Sequence, residues 1–347
     1  MRRKLTFAYP GDLNLKTGGY GYDRAMIAGL KALGWDVDLL ALGDGFPAPE
    51  ASIKREAERL LSALPDGLLV MIDGLAFGIL DQWAEREAHR LCIVALVHHP
   101  LALESGLGEE TQDRLRSSER KALAATRHVV VTSPNTGREL VARFEVPADK
   151  VTIALPGTER APVSSCNGSP PHILSIGTLI PRKGHDVLIN ALKRIEDLSW
   201  TATIVGSKSL HPATTNALQA QIADLGLAER VLLHGECDDV RAFLACADIF
   251  ALASRYEGYG MVFAEALSQG VPVVACNAGA IPDVVPEDAG LLVPVDDVEA
   301  FANALRSLLE DKALHQHMAL GARRAGEALP GWDDTSRIIS SALEDCR

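Results

Sequence analysis

The chain is poor in the features that mark several protein classes. Its six cysteines form no C-x-x-C pair, so neither a zinc ribbon nor a thioredoxin-type redox motif is present. Aromatic residues make up only 5% of the 347 residues, which argues against the stacking surfaces of single-stranded nucleic-acid binders. The net charge of −12 also opposes the binding of a polyanion. We therefore expect no nucleic-acid partner.

Long apolar runs and targeting segments are missing as well. No stretch reaches the roughly 18 apolar residues that a membrane span needs. The basic residues 2–4 lead within a few positions to Pro10-Gly11-Asp12, which predicts a first β-strand rather than a signal peptide. The dispersed cysteines are typical of reduced thiols. These features predict a cytoplasmic protein.

Short β-branched runs alternate with longer helical patterns along the chain. Such alternation predicts βαβ units and parallel sheets that are covered by helices on both faces. Residues 161–171, rich in Pro and Ser, interrupt the series and predict a linker. We therefore expect an α/β protein with two doubly wound, Rossmann-like domains, residues 1–160 and 172–330, and a last helix within 331–347.

Predicted loops at strand ends carry candidate ligand-binding residues, because open α/β sheets bind ligands at the carboxyl ends of their strands. Gly18 and Gly19 precede a helix whose N-terminus suits a phosphate or a sugar oxygen. This is not a G-x-G-x-x-G fingerprint, since Arg24 stands where the third glycine would be. His98 and His99 follow an apolar strand and point to opposite sides, which makes a poor metal site. One of them suits donation to a substrate oxygen.

Two later loops are richer in charge. Arg182 and Lys183 lie in the loop GTLIPRKG at 177–184 and suit a pyrophosphate. The guanidinium of Arg182 can donate two parallel hydrogen bonds, and the ammonium of Lys183 supplies a compact positive charge. The next loop holds Glu257 and Glu265 in an E-x7-E spacing, with two glycines before a predicted helix. Carboxylates beside a phosphate site are unfavourable unless they bind neutral hydroxyls. Hydroxyls of a sugar or a ribose would meet that condition.

These motifs, in this order, resemble those of the retaining GT-B glycosyltransferases, specifically glycosyltransferase family 4. The resemblance covers nearly the whole chain and includes ALSQGVPVVA at 266–275, NAGAIPDVV at 277–285 and GLLVP at 290–294. It implies the GT-B fold, in which two Rossmann-like domains face a central cleft and the C-terminal helix crosses back to the N-terminal domain. It also implies an acceptor domain first and a nucleotide-sugar (donor) domain second.

The resemblance assigns a role to each matching residue. Arg182 and Lys183 match the basic loop that holds the donor's diphosphate, and Glu265 matches the carboxylate that binds the donor ribose. Glu257 matches the carboxylate near the donor sugar's hydroxyls, and His98 matches the strand-end histidine near the transferred sugar. The implied catalytic set is thus His98, Arg182, Lys183 and Glu257. The other implied donor-binding positions are Gly18, Gly19, Gly177, Thr178, Gly258, Tyr259, Gly260 and Met261.

Two positions depart from the family pattern. Many members have an arginine where this chain has Thr178, so one contact with the diphosphate is missing and Arg182 could substitute for it. An acidic residue is common at the position of His99.

The implied enzyme is a hexosyltransferase-type glycosyltransferase. It would move a sugar from a nucleoside-diphosphate sugar to a hydroxyl of a glycan, a lipid or a small metabolite, with retained anomeric configuration. The protein would stabilise the leaving diphosphate electrostatically, with no metal and no cofactor. A basic cluster at 114–127 is either a solvated helix face or a peripheral contact with the inner face of a membrane; it comprises Arg114, Arg116, Arg120, Lys121 and Arg127.

Three alternatives stay open. A sugar-nucleotide epimerase would share the fold and the diphosphate site. A non-catalytic sugar-nucleotide-binding protein would keep the same residues without turnover. A nicotinamide-dependent oxidoreductase is disfavoured because the G-x-G-x-x-G fingerprint is missing. Transfer of a sugar from a donor to an acceptor would distinguish a glycosyltransferase from all three alternatives.

Overall fold

The computed structural model describes residues 3–104, 106–237 and 239–346. It divides into two compact units: unit 1 holds the chain up to Gly157 together with the segment from Pro330 onward, and unit 2 is Thr158–Leu329. The predicted linker, residues 161–171, thus falls within unit 2. There the hydroxyl of Ser164 donates to the carbonyls of Ala245 and Ala247 at 3.1 and 2.8 Å.

Unit 1 is built on a parallel six-stranded sheet. Its strands are β1 (Arg3–Tyr9), β2 (Trp35–Ala41), β3 (Leu69–Asp73), β4 (Cys92–Val97), β5 (His128–Val131) and β6 (Val151–Ile153), in the spatial order β2-β1-β3-β4-β5-β6. All five residues of β3 are buried, as expected for a central parallel strand that is covered on both faces.

Helices cover both faces of this sheet. They are α1 (Gly18–Ala32), α2 (Ala51–Ser62), α3 (Gly74–Phe77), α4 (Asp81–Glu87), α5 (Glu109–Ala124) and α6 (Pro134–Phe144). Phe77 and Trp83 fill the core on one face, and Phe7 and Met26 fill the core on the other. Each such fully buried side chain contributes about 1.5–3 kcal/mol of transfer free energy.

Unit 2 repeats this architecture. Its strands are β7 (His172–Ile176), β8 (Thr201–Val205), β9 (Val231–Gly235), β10 (Ile249–Leu252), β11 (Val273–Cys276) and β12 (Gly290–Val293), in the order β12-β11-β10-β7-β8-β9. The helices are α7 (His185–Arg194), α8 (Pro212–Asp224), α9 (Arg241–Leu244), α10 (Met261–Ser268), α11 (Ile281–Val284), α12 (Val298–Glu310) and α13 (Lys312–Ala328).

The last helix, α14 (Trp332–Asp345), belongs to unit 1. Ile339 and Leu343 are fully buried in the core beside α1 and β1. The indole of Trp35 donates to the hydroxyl of Ser340 at 2.9 Å. The C-terminal helix therefore completes the N-terminal unit, as the GT-B resemblance implies.

Four elements were not predicted from the sequence: β6, α3, α11 and α13. The strand β6 has only three residues, too few for a periodic signal. The helix α13 carries Gly321 in its interior, and an interior glycine normally disfavours a helix. Here the glycine serves close packing, because a Cβ at Gly321 would lie 1.8 Å from the carbonyl oxygen of Asp288.

The predicted basic cluster lies mostly on α5, where acidic residues balance it. The helix carries Arg114, Arg116, Arg120 and Lys121 together with Glu109, Glu110, Asp113 and Glu119. Arg116 binds Asp113 and Arg120 binds Glu145, each at 2.8 Å. Of the helices in the described ranges, none is long and apolar enough to cross a membrane.

Candidate active site

In unit 1, a histidine and two aspartates meet near the carboxyl ends of neighbouring strands. His98 follows β4, Asp73 ends β3, and Asp23 lies on α1. The Nε2 atom of His98 is 3.1 Å from Oδ1 of Asp23 and 3.7 Å from Oδ2 of Asp73. Both aspartates are buried. We call these three residues the histidine cluster; the sequence analysis identified His98 but neither aspartate.

Burial and mutual charge set the protonation of the histidine cluster. Burial lowers the pKa of His98, but Asp23 and Asp73 outweigh it and raise that pKa to about 10. Burial raises the pKa of Asp23 to about 6; His98 opposes this shift and Asp73 adds to it. At neutral pH, His98 is therefore an imidazolium hydrogen-bonded to a carboxylate.

The surroundings hold His98 in place. The hydroxyls of Thr132 and Thr136 donate to its backbone carbonyl at 3.1 and 3.4 Å. The ring of Tyr22 meets the imidazole edge-on, with 5.3 Å between centroids. Gly18 and Gly19 form the first turn of α1, which begins one turn earlier than the sequence predicts. A Cβ at Gly19 would lie 3.6 Å from Cδ2 of His98, so this turn borders the imidazole.

The adjacent histidine has a different partner. The Nε2 atom of His99 lies 3.1 Å from Oε2 of Glu104, so the two histidines contact separate carboxylates. Among the described residues, the histidine cluster is the one group of three potential metal ligands, with its donor atoms within 4.8 Å of one another. The direct hydrogen bond between His98 and Asp23 accounts for this close approach without an ion.

In unit 2, two loops at adjacent strand ends bring together three of the predicted site residues. Arg182 and Lys183 follow β7, and Glu257 follows β10, its neighbour in the sheet. The Nζ atom of Lys183 is 2.6 Å from Oε1 of Glu257, and Nη1 of Arg182 is 3.5 Å from Oε2. We call these three residues the lysine cluster. The sequence analysis treated the cations and the carboxylate as separate ligands, whereas the structure pairs them.

The cations keep the carboxylate of the lysine cluster ionised. Burial by itself would raise the pKa of Glu257, but Lys183 and Arg182 hold that pKa below its ordinary value. The hydroxyl of Ser254 also donates to Oε1 of Glu257. Two cations around one carboxylate leave a net positive charge. Such a surplus suits a phosphate-bearing ligand.

The first residue of α7, His185, was missed by the sequence analysis and contacts the loop before Lys183. Nε2 of His185 lies 3.2 Å from the carbonyl oxygen of Gly177. Burial lowers the pKa of His185 to about 4, so the ring is neutral and donates to that carbonyl. The backbone carbonyl of Thr178 accepts from the amide of Ile180 at 2.8 Å. These bonds fix the turn in which the diphosphate contact was predicted.

Arg255 joins the two loops of the lysine cluster, and sequence reasoning passed over it although it lies only two residues before the E-x7-E motif. Its backbone amide donates to the carbonyl of Arg182 at 2.8 Å. Its guanidinium binds the carboxylate of Asp186 through two bonds of 2.8 and 3.1 Å, and that of Asp296 at 2.8 Å. It also donates to the carbonyl of Pro181. Arg255 thus holds the basic loop against the Glu257 loop.

The rest of the motif leads into α10. Gly258 and Tyr259 connect Glu257 to Gly260, which caps the helix with a φ of +92°, a conformation that favours glycine. Met261 is the first helical residue. Tyr259 is buried, and burial raises the pKa of its hydroxyl to about 12.

Glu265, on α10, has a different electrostatic environment from Glu257. Burial raises the pKa of Glu265 to about 7; Arg241 opposes this shift and Glu159 adds to it. The E-x7-E spacing therefore gives one carboxylate that is ionised at neutral pH and one that is close to its midpoint.

Comparison with known proteins relates this geometry to a family. The family model described as glycosyl transferases group 1 matches residues 170–311. A D-inositol 3-phosphate glycosyltransferase of Paenarthrobacter aurescens is 30% identical over 284 residues, which are 76% of this chain and 68% of that protein. The matched segment covers 66–68% of three D-inositol 3-phosphate glycosyltransferases and 48% of a lipopolysaccharide core biosynthesis mannosyltransferase of Rhizobium meliloti.

Solved structures extend the likeness to the whole fold. Sucrose-phosphate synthase from Thermosynechococcus elongatus is similar with a TM-score of 0.84 at 21% identity, over 99% of both chains. The Anabaena protein HepE, in complex with UDP-glucose, is similar with a TM-score of 0.76 at 18% identity, over 98% of this chain and 99% of that one. Fold, motifs and relatives agree: the chain belongs to the group 1 glycosyltransferases, family 4 enzymes with the GT-B fold.

Proposed function

We propose that this chain is a retaining glycosyltransferase that moves a sugar from a nucleoside-diphosphate sugar to an acceptor hydroxyl without a metal ion. The lysine cluster carries this proposal. Its two cations sit on one buried carboxylate at neighbouring strand ends, with side chains that are 17% (Arg182), 13% (Lys183) and 7% (Glu257) exposed. Negative charge builds on the diphosphate as the glycosidic bond breaks, and fixed cations stabilise that charge best where water is scarce.

Each candidate site residue of unit 2 has a role in the proposed reaction. Arg182 and Lys183 stabilise the departing diphosphate, and the N-terminus of α10 adds backbone amides. Glu257 holds the cations in place and accepts from the donor sugar's hydroxyls. Glu265 accepts from the ribose hydroxyls. None of these roles needs a protein nucleophile. This agrees with attack by the acceptor hydroxyl on the same face of the donor sugar from which the diphosphate departs.

We assign the transferred sugar to His98 and the acceptor to unit 1. Candidate acceptors are glycans, lipids and small metabolites. The matched relatives named D-inositol 3-phosphate glycosyltransferases add a phosphorylated small polyol to the acceptors that are worth testing first.

Membrane contact through residues 114–127 and a cytoplasmic location stay predictions. Ion pairs already engage Arg116 and Arg120, which lowers the charge that is free for lipid headgroups. Co-sedimentation with vesicles of anionic phospholipid tests the contact: binding that weakens in Arg114→Gln and Lys121→Gln would support it, and no binding at low salt would contradict it.

The donor site is tested by thermal unfolding with UDP, GDP, ADP and their common sugar conjugates, each with and without EDTA. A ligand at a hundred times its Kd stabilises a protein by about 2.7 kcal/mol, which gives a clear shift. We expect one nucleotide family to stabilise the wild type regardless of EDTA and to fail with Lys183→Ala and Glu265→Ala. Lys193→Ala is the matched control, because Lys193 pairs with Glu196 on the surface of the same unit.

Stereochemistry and metal dependence need the reaction itself. The donor so identified is incubated with an acceptor panel that includes inositol phosphates, and NMR coupling constants give the anomeric configuration of the product. Retention with EDTA present supports the proposal, and inversion or loss with EDTA contradicts it. An epimerised sugar nucleotide formed without acceptor would identify the epimerase instead.

A further inference from the structure

We propose that Asp23 is a positioning residue of the active site, which fixes the imidazole of His98 and supplies the buried counter-charge that keeps it a cation. The inference rests on the proposed role of His98 in sugar transfer. It adds a residue from α1 that no motif in the sequence marks.

The hydrogen bond to His98 is the main polar contact of Asp23 in the described structure. Its side chain is fully buried, and an isolated buried carboxylate is costly unless it is paired. Oδ1 of Asp23 accepts from Nε2 of His98 at 3.1 Å, and Asp73 is its other polar neighbour and raises its pKa. Its second oxygen, Oδ2, is buried and has no hydrogen-bond partner among the described residues.

Asp73 differs in this respect. Its Oδ1 accepts from the amide of Leu75 at 2.7 Å and so caps α3, while its Oδ2 stands 3.7 Å from the imidazole. Asp73 is therefore needed for local structure whether or not His98 acts. Asp23 lies inside α1, and its Oδ1 accepts directly from Nε2 of His98.

This pairing decides which atom of His98 can meet a ligand. Nε2 is engaged by the aspartates, whereas Nδ1 makes no hydrogen bond to a described residue. The side chain is 21% exposed. An imidazolium carries a proton on both nitrogens, so Nδ1 is a donor. The matching ligand group is an acceptor oxygen, such as a sugar hydroxyl or an anionic oxygen.

The other titratable groups near the cluster stay neutral. Tyr22 of α1 packs edge-on against the imidazole, and burial, with a smaller effect of Asp23, raises the pKa of its hydroxyl. Burial and the nearby aspartates raise the pKa of Tyr20 to about 12. The neighbouring Thr132, after β5, and Thr136, on α6, do not titrate. The charge balance of His98 is therefore set by Asp23 and Asp73.

The direct test is a histidine NMR titration of the full chain labelled with 15N-histidine, in which the signals lost in His98→Gln identify His98. In the wild type we expect His98 to stay an imidazolium from pH 6 to pH 9. In Asp23→Asn the amide still accepts from Nε2 but the counter-charge is gone, so the titration midpoint should fall by about 2 pH units or more. Glu104→Gln is the matched control; it neutralises the partner of His99 and should leave the midpoint of His98 unchanged.

Three outcomes would overturn the proposal. The first is a wild-type His98 that titrates near the ordinary value of about 6.5. The second is an Asp23→Asn midpoint equal to that of the wild type. The third is a change of the wild-type signals with EDTA or with stoichiometric Zn²⁺, which would show a metal site. If Asp23→Asn does not fold, the wild-type titration still tests the proposal. Asp23→Glu, which keeps the negative charge but moves it relative to His98, then takes the place of Asp23→Asn.

A kinetic arm separates positioning from folding. With the donor from the nucleotide panel, we expect Asp23→Asn to lower kcat about tenfold or more above neutral pH and to leave the KM for donor within about twofold. Recovery of kcat as the pH falls through the new midpoint is the signature of a lost imidazolium. A loss that is independent of pH contradicts the proposal. The NMR result stands by itself if the chain proves not to transfer sugars.

Discussion

The two units place opposite charge balances on the same architecture. Both clusters lie at the carboxyl ends of parallel strands and contain a buried carboxylate. The histidine cluster has one cation with two carboxylates, and the lysine cluster has two cations with one carboxylate. The pKa of Asp23 is accordingly raised, whereas that of Glu257 is lowered, although both are buried. Burial raises the pKa of both carboxylates; the two cations around Glu257 outweigh it, whereas the single cation beside Asp23 does not.

This difference assigns different ligands to the two units. The surplus of positive charge in unit 2 suits a diphosphate, while unit 1 offers one firmly held donor that suits a hydroxyl oxygen. The sheets themselves are alike, so the chemistry follows from a few residues in the loops after the strands. Changes that disturb one balance should therefore affect one kind of ligand.

The largest effect should come from Lys183→Ala, which removes the closest cation of the lysine cluster. Glu257 would then face only Arg182 at 3.5 Å, and the diphosphate would lose a point charge. We expect kcat/KM for the donor to fall about 100- to 1000-fold, the usual cost of removing one preorganised charge-stabilising group. Steady-state kinetics measures this loss. Near-wild-type activity of Lys183→Ala would break the comparison.

A third buried carboxylate, Glu119 in unit 1, extends the comparison because no cation among the described residues shifts its pKa. Burial raises the pKa of Glu119 to about 8, although hydrogen bonds from the backbone amides of Leu101 and Ala102 act to lower it. A raised carboxylate pKa costs no stability below the unfolded value of about 4.5 and its full amount above pH 8. We expect the stability of Glu119→Gln relative to the wild type to rise by about 4 kcal/mol between pH 5 and pH 9.

Urea unfolding across this pH range measures the gain in Glu119→Gln. The side-chain oxygen of Gln still accepts from Leu101, so the fold should be kept. A difference in unfolding free energy that does not change with pH would show that Glu119 is already neutral or already hydrated at pH 9.

A smaller effect should follow from Arg255→Lys, which keeps the charge but cannot form the two-bond contact with Asp186. The basic loop would lose its anchor, and we expect the Kd for donor to rise about tenfold with the KM for acceptor unchanged. Arg306→Lys is the matched control, since Arg306 binds Asp197 through two bonds of 2.7 and 2.8 Å elsewhere in unit 2. Equal effects of both variants would show a general loss of stability.

The smallest effect concerns Glu265, whose raised pKa of about 7 places its titration near neutral pH. If the carboxylate accepts from the ribose, donor affinity should fall about threefold or more as the pH drops from 8 to 6. Calorimetry should use a nucleotide sugar, because a terminal phosphate itself titrates near pH 6. Glu265→Gln should bind weakly with no such slope; an unchanged slope would assign the titration to another group.

The sequence predicted the local features of the fold and the site. Strand–helix alternation, Gly-Pro breaks and the E-x7-E motif are read within short windows, and they placed His98, Lys183 and Glu257 at strand ends. It did not predict the partners that act across the fold. Asp23 is 75 positions from His98, and Asp186 is 69 positions from Arg255. No periodicity links such pairs, because parallel strand order brings them together.

Local signals also failed where packing overrode propensity. The glycine within α13 was disfavoured by helix propensity, yet it permits contact with the backbone at Asp288. The contact between Lys183 and Glu257 was not foreseen either. A motif shows which residue types are present but not that two of them neutralise each other.

The most direct test of the charge comparison is isothermal calorimetry of the preferred nucleoside diphosphate, with EDTA present, on the wild type, Lys183→Ala and Lys193→Ala. The account predicts one site per chain, a Kd that rises at least about tenfold in Lys183→Ala, and no change in Lys193→Ala. Equal affinity in the wild type and Lys183→Ala would contradict it, because the positive surplus of unit 2 would then not be what binds the donor.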